Sequence, residues 1–335
     1  NVPSEEEQAM LRSAEAEHTG DGAAAWPVAE DFMMSLIRIP HFRLRLQIWD
    51  FKNSFQERFD SLAKAEKDLA NACTHLATSG VIRHVLGIVL FVGNHLNGGT
   101  PRGRADGFAI DTLGQMRTVK MSQGEGTGTL VDYILHQMEK SHPGELELLF
   151  APGQVADCMK CAARHKLGDL TSELNRFRAA AKQMLAGIGS SECAADPTFK
   201  RNGKMLEYYI AEIDELARRF EKLEEQYLKL RLWFHMEDTK ERKSTDEFFG
   251  IWSKFMLDLR QTRKTNQDGE REGLRRSVTP KRVTIAIGPQ EVQCVPARSA
   301  LSASRPRRPS GHDFSELTRA FSKAPPPEAL PEWRL

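Results

Sequence analysis

A few residue types in this sequence could do chemistry, and their spacing decides what kind. Cys158 and Cys161 stand at the CxxC interval of metal and redox pairs. They lie in a stretch of helical pattern, Val155 to Leu185, with no second pair and no strand ahead of them, so they read as two small apolar residues on a helix. His41, His84 and His95 stand in apolar or loop surroundings, and none of the ten histidines forms a metal-spaced set with carboxylates. HExxH, GxSxG and a paired CxxC are absent. The expectation is a protein that is not an enzyme and uses neither metal nor cofactor. The densest local signal is Gly93 to Gly107, which holds Gly93, Gly98, Gly99, Gly103 and Gly107 with Asn94 and Asn97. Glycine and asparagine accept left-handed backbone angles and close approach of another chain. Neither Walker spacing nor GxGxxG is met, and no strand precedes the run, which argues against a nucleotide loop. Two uses stay open: the loop receives a foreign backbone, or it closes its own helix ends.

These residues are positioned by a succession of helices. Residues 4 to 18 read as an acidic helix, 20 to 25 as a loop, and 28 to 38 as a short helix stopped before Pro40. Phe42, Leu46, Trp49, Phe51, Phe55 and Phe59 recur at mostly helical spacing, extended by Leu62 and Leu69, and the aromatics are expected in the core. Residues 74 to 92 read as one helix, apolar nearly all round and therefore central. Apolar helices are expected over Phe108 to Met116 and 129 to 139, with a turn at Pro143-Gly144. Met159, Ala163, Leu167, Leu170, Leu174, Phe177, Ala181 and Met184 make one stripe, followed by a loop from Gly187 to Pro197. Leu206, Tyr209, Ile213, Leu216, Phe220, Leu223, Tyr227, Leu230 and Phe234 alternate in steps of three and four, a sustained heptad. The preceding stripe is its natural antiparallel partner. Ser244 and Glu247 form a capping box before Phe248, Phe249, Trp252, Phe255 and Leu259. The fold class is all-α and elongated, with a helical hub and a long antiparallel coiled-coil arm. Residues 1–265 form the domain. Residues 266–335 are rich in Arg, Ser, Pro and Gly and read as a mostly disordered tail, with a strand-like stretch at Val283 to Ile287 and an amphipathic segment at Phe314, Leu317 and Phe321.

Charge excludes some classes. Of 335 residues, 47 are Lys or Arg and 46 are Asp or Glu, a formal net charge of +1. Such balance gives no general attraction to nucleic acid or anionic membrane. The longest apolar run, Val85 to Val92, is too short to span a bilayer. The acidic start (Glu5, Glu6, Glu7) is unlike a secretory leader, and five cysteines make an odd count. Both point to a reducing cytoplasm.

Gly93-Asn94-His95-Leu96-Asn97-Gly98-Gly99 followed by Arg102-Gly103-Arg104-Ala105-Asp106-Gly107-Phe108 resembles the GNxxNxG and RGxAxGF signature of formin homology two domains. Ile39-Pro40 with Arg45-Leu46, Phe51 and Phe55 resembles that family's helix upstream. Leu113, Met116 and Lys120, then Thr129-Leu130, resemble its downstream pattern. Trp233-Phe234 and Ser244 to Phe249 resemble its aromatic pair and final helix. The resemblance covers about residues 4 to 265.

The resemblance implies a domain that binds actin, nucleates filaments and binds or processively caps barbed ends, in the cytoplasm with the cytoskeleton. It implies a head-to-tail dimer in which an N-terminal lasso wraps a post on the partner subunit, followed by a linker, a knob and a coiled coil. Gly93, Asn94, Asn97, Arg102, Gly103, Ala105, Gly107 and Phe108 would then receive the lasso. Lys120 occupies the position of an actin-contacting lysine, with Arg117 a neighbouring candidate. The chain would begin inside the knob, so lasso, linker and the proline-rich segment that recruits profilin–actin would lie upstream of Asn1. Without a lasso, this stretch alone is not expected to close the ring. Val119 and the Gly-rich tract 121 to 128 depart from the family pattern. Asp313 to Phe321 resembles a formin autoregulatory helix. Two rival readings are a coiled-coil scaffold that has lost actin activity, and a microtubule or nucleic-acid binder through the basic tail, which steep salt dependence would reveal.

Overall fold

Helix signals dominate wherever the chain is described, and the architecture is all-α. A computed structural model describes residues 3–17, 26–120, 128–189, 196–234, 236 and 243–278. The helices are α1 (Glu5–Glu17), α2 (Val28–Ile37), α3 (Phe42–Thr78), α4 (Gly80–Leu96), α5 (Leu130–Ser141), α6 (Glu145–Phe150), α7 (Val155–Ala162), α8 (Leu167–Ile188), α9 (Pro197–Trp233) and α10 (Thr245–Val278). The loops expected at 20 to 25 and in most of Gly187 to Pro197 lie outside the described residues, as do Val283 to Ile287 and Phe314 to Phe321. Residues to Arg260 form one unit; a second begins at Gln261, of which the described part is the polar end of α10.

The helix starts are chemically marked. Ser4 Oγ accepts from the Glu7 N–H at 3.1 Å, and the Glu7 carboxylate accepts from the Ser4 N–H at 2.6 Å, a reciprocal box at the head of α1. Met34 and Ile37 of α2 pack on Phe42, joined by Leu11, Leu36 and Leu46.

The heptad of α9 buries Leu206, Ile213, Leu216, Phe220, Leu223, Tyr227 and Leu230, with Phe234 at its end. Its partner α8 runs antiparallel: Thr171 bonds Glu224, Arg178 pairs with Asp214, and Ile188 meets Gly203. The seam is more than a pair of helices, because α3 lies along it. Phe177 of α8 sits 5.0 Å from Phe51 and 5.4 Å from Phe55, and Phe55 stacks at 3.7 Å on Tyr209 of α9. Arg58 caps the Phe177 ring at 4.3 Å, and buried Glu66 pairs with Arg219. Trp49 is the exception to the aromatic core, 64% exposed on α3; its position falls off the stripe that faces α8 and α9.

Four expected boundaries are corrected. The helix expected over 74 to 92 breaks at Ser79. Extended Ser79 caps α4 by accepting from the Ile82 N–H, and α4 leaves α3 at 60°. The stretch Val155 to Leu185 breaks at 163–166. There the buried Thr245 hydroxyl donates to the His165 carbonyl at 2.8 Å and accepts from the Leu167 N–H at 2.9 Å, so α10 supplies the groups that the break leaves open. Phe108 to Met116 holds a 3-10 turn, Ile110–Gln115, in place of an α-helix. Finally, α10 continues to Val278, past the expected end of helix at 265. Its first half buries Phe248, Phe249, Trp252, Phe255 and Leu259, as the pattern predicts. No single helix among the described residues is long and apolar enough to cross a membrane.

Candidate functional site

The Gly/Asn segment is partly helix. Gly93 and Asn94 belong to the last turn of α4, and Asn97 caps its C-terminus. Asn94 reaches across the loop with both ends of its amide. Nδ2 donates to the Ala105 carbonyl and Oδ1 accepts from the Ala105 N–H, each at 2.8 Å. The Asn97 carbonyl accepts from Thr100 through N–H at 3.1 Å and hydroxyl at 2.7 Å. Gly103 passes so close that a Cβ there would lie 2.5 Å from the Asn97 oxygen. Only glycine allows that approach. Self-closure therefore accounts for Asn94 and Gly103. Asn97 and Ala105 are exposed, Gly93, Gly107 and Phe108 half-buried; the Arg102 side chain lies outside the described residues. Gly99, Thr100, Gly103 and Arg104 line an open hollow of about 340 Å³.

Downstream, two ion pairs brace the segment on or just before α10. Lys243 Nζ meets Asp111 at 3.0 Å, and Arg117 Nη1 meets the buried Asp258 at 2.8 Å. Arg117, expected beside Lys120 as a surface contact, thus has its guanidinium on a buried carboxylate, although 55% of its side chain stays exposed. Lys120 forms an isolated antiparallel bridge with Thr129, and the Leu130 N–H donates to the Val119 carbonyl at 2.9 Å. Thr129 opens α5 with a capping box to Asp132. Lys120 therefore presents an exposed side chain from a fixed backbone. Residues 121–127 lie outside the described residues.

The cysteines and two of the singled-out histidines fall where the sequence reading puts them. Cys158 and Cys161 are half-buried free thiols on α7, and Cys158 Sγ donates to the Gly153 carbonyl at 3.4 Å. Burial first, then neighbouring Cys161, pushes the Cys158 thiol up, the reverse of an activated thiolate. Burial alone pushes Cys73 to about 12. His41 takes a left-handed backbone (φ 54°) at the α2–α3 corner, its ring 6.1 Å from Phe199 in a T-shaped contact; His95 is exposed.

One set contradicts the expectation that no histidines group with a carboxylate. His84 of α4, His142 at the end of α5 and Glu145 at the head of α6 bring their ligand atoms within 4.8 Å of one another. Burial and the adjoining His84 ring hold His142 below the ordinary histidine range, while Glu145 pulls the other way. The His142–Glu145 interval was visible in sequence, but His84 stands 61 residues before Glu145 and carries no local sign of the pairing.

Comparison with known proteins adds an independent finding. The family model for the Formin Homology 2 Domain matches residues 1–260. Formin-G of Dictyostelium discoideum is 25% identical over 279 residues, covering 81% of this chain and 25% of its own length. Human Formin-2 is 29% identical over 245 residues, 69% of this chain and 14% of that protein. Mouse Disheveled-associated activator of morphogenesis 2 is 27% identical over 256 residues, 72% of this chain and 22% of that protein. The chain thus spans a quarter or less of the length of these relatives.

Proposed function

Because this chain belongs to the formin homology two domain family, we propose that it is a formin-type actin assembly factor that nucleates filaments and binds or processively caps their barbed ends. It does no bond-making chemistry. It works by binding actin subunits in a filament-like arrangement more tightly than free monomers, the differential affinity that shifts an assembly equilibrium. Its place is the cytoplasm, with the cytoskeleton.

The family match over residues 1–260 carries this reading. Lys120 is the actin contact: an exposed cation on an anchored bridge meets acidic actin side chains with little ordering cost. Arg117 adds to it mainly by bracing the same segment on Asp258. The Gly93–Phe108 loop receives the lasso of a second formin chain that carries one, through its open hollow and exposed Asn97 and Ala105. Profilin–actin would arrive through a proline-rich segment outside these 335 residues.

Elongation of actin filaments from preformed seeds tests the reading, with the chain titrated beside Lys120→Ala. The expected result is altered barbed-end growth that the substitution weakens while thermal stability is unchanged. Unaltered growth with this chain, and again with a lasso-bearing segment fused ahead of it, would overturn actin binding and leave the scaffold reading.

A further inference from the structure

We infer that His84, His142 and Glu145 form a binding site for one zinc-class divalent cation, clamping α4 to the turn between α5 and α6. The site is independent of the actin contact. Two imidazoles and a carboxylate are the borderline donors that suit Zn²⁺, and three protein ligands leave a fourth position for water.

The scaffold delivers these donors from two directions. Met138 and Leu135 of α5, Leu146 and Leu149 of α6, and Val85 and Ile88 of α4 are buried around them, so the backbones are fixed by packing. The His142 N–H closes α5 on the Met138 carbonyl at 2.8 Å, and the His142 carbonyl accepts from the Glu145 N–H at 3.2 Å. Between them Gly144 takes φ +86°, a left-handed angle that turns the chain in one residue and sets His142 and Glu145 side by side. From α4, His84 Nδ1 lies 2.7 Å from Glu145 Oε2, and its ring stacks on His142 at 3.9 Å with 3° between planes.

Parallel rings do not aim both nitrogens at one point. Convergence needs rotation about χ2, a broad torsion for histidine that leaves the backbone in place. The cation then replaces the His84–Glu145 hydrogen bond. Side-chain exposures of 37% for His84 and 25% for Glu145 leave a path for the ion and its water.

Zinc titration by calorimetry on the full chain carrying Cys158→Ser, Cys161→Ser, Cys193→Ser and Cys294→Ser tests the site with core-buried Cys73 as the one thiol left. The expected result is one saturable ion per chain and a rise in Tm with zinc. His84→Ala and His142→Ala should each weaken binding by more than about 10-fold, since even outer partners of a metal are worth that much. Glu145→Gln should weaken it too, and exposed His136→Ala should leave it unchanged. Cobalt should give a visible d–d spectrum without a thiolate band. Should the alanine variants fail to fold, histidine ring resonances of the same cysteine-substituted chain give the answer: zinc should move two of the ten histidines. Absence of one saturable ion, binding indifferent to His84→Ala and His142→Ala, or movement of any other number of rings would overturn the site.

Discussion

Asn94 and Gly103 do for the loop what a short sheet would do elsewhere: the amide pairs with one backbone unit and the missing Cβ lets two strands of chain touch. Asn94→Ala should lower stability by about 1–2 kcal/mol, the net worth of two ordinary hydrogen bonds, read by urea unfolding. Gly103→Ala should cost about 1–3 kcal/mol, as overpacking does, with faster amide exchange at Ala105. Arg117 poses a different question, since its pair with Asp258 is half in water and half in the core. Breaking a fully buried pair costs about 3–5 kcal/mol; solvent around Arg117 should reduce the loss for Arg117→Ala to a fraction of that. If Arg117→Ala changes filament growth in proportion to its lost stability, it is a brace. A change in growth at unaltered stability would make it an actin contact beside Lys120.

At the scale of elements, the long helices are held by a three-helix seam. Phe177 faces Phe51 and Phe55 of α3 from α8, so Phe177→Ala should cost about 3–5 kcal/mol in denaturant unfolding. Arg45 stands over the Phe199 ring at 4.4 Å and pairs with Asp196, which caps α9 by accepting from the Thr198 N–H at 2.7 Å. The hydrogen bond from Arg45, ahead of the cap bond, holds the Asp196 carboxyl below the ordinary aspartate range. A depressed folded-state pKa means that this contribution is present above the unfolded value, about 3.9, and lost as pH falls through the folded value. Asp196→Asn should therefore lower stability at neutral pH and flatten its dependence below about pH 4. Thr245→Val should remove both bonds across the α7–α8 break and leave the Leu167 N–H unpaired, about 1–3 kcal/mol, with local exchange rising first at 163–167.

For the whole molecule, the unit ending at Arg260 coincides with the extent of the family match. Its cores run into one another: α3 reaches the α7–α8 turn through Asp68–His165, α9 reaches α10 through Tyr227 and Phe248, and α10 reaches the same turn through Thr245. Unfolding followed by far-UV circular dichroism and by the fluorescence change of buried Trp252, read with Trp49 and Trp233 replaced by Phe, should give coincident midpoints. Separate midpoints would show that the α8–α9 arm melts on its own.

Sequence alone settled what depends on local spacing. The helical class, the heptad of α9 and its antiparallel partner, the buried face of early α10, and the glycine signature all follow from periods of three and four residues or from residues that tolerate unusual backbone. Helix breaks at Ser79 and 163–166 were hidden because the apolar pattern runs through them, and the groups that satisfy the second break come from Thr245, far along the chain. Trp49 looked like core because spacing cannot say how wide a face its neighbours cover. Arg117 looked like surface because buried Asp258 is supplied by another helix, and His84 looked solitary because its partners arrive on α5 and α6. For the second break, Arg117 and His84, the deciding energy is a pairing between residues distant in sequence, which only packing brings into contact.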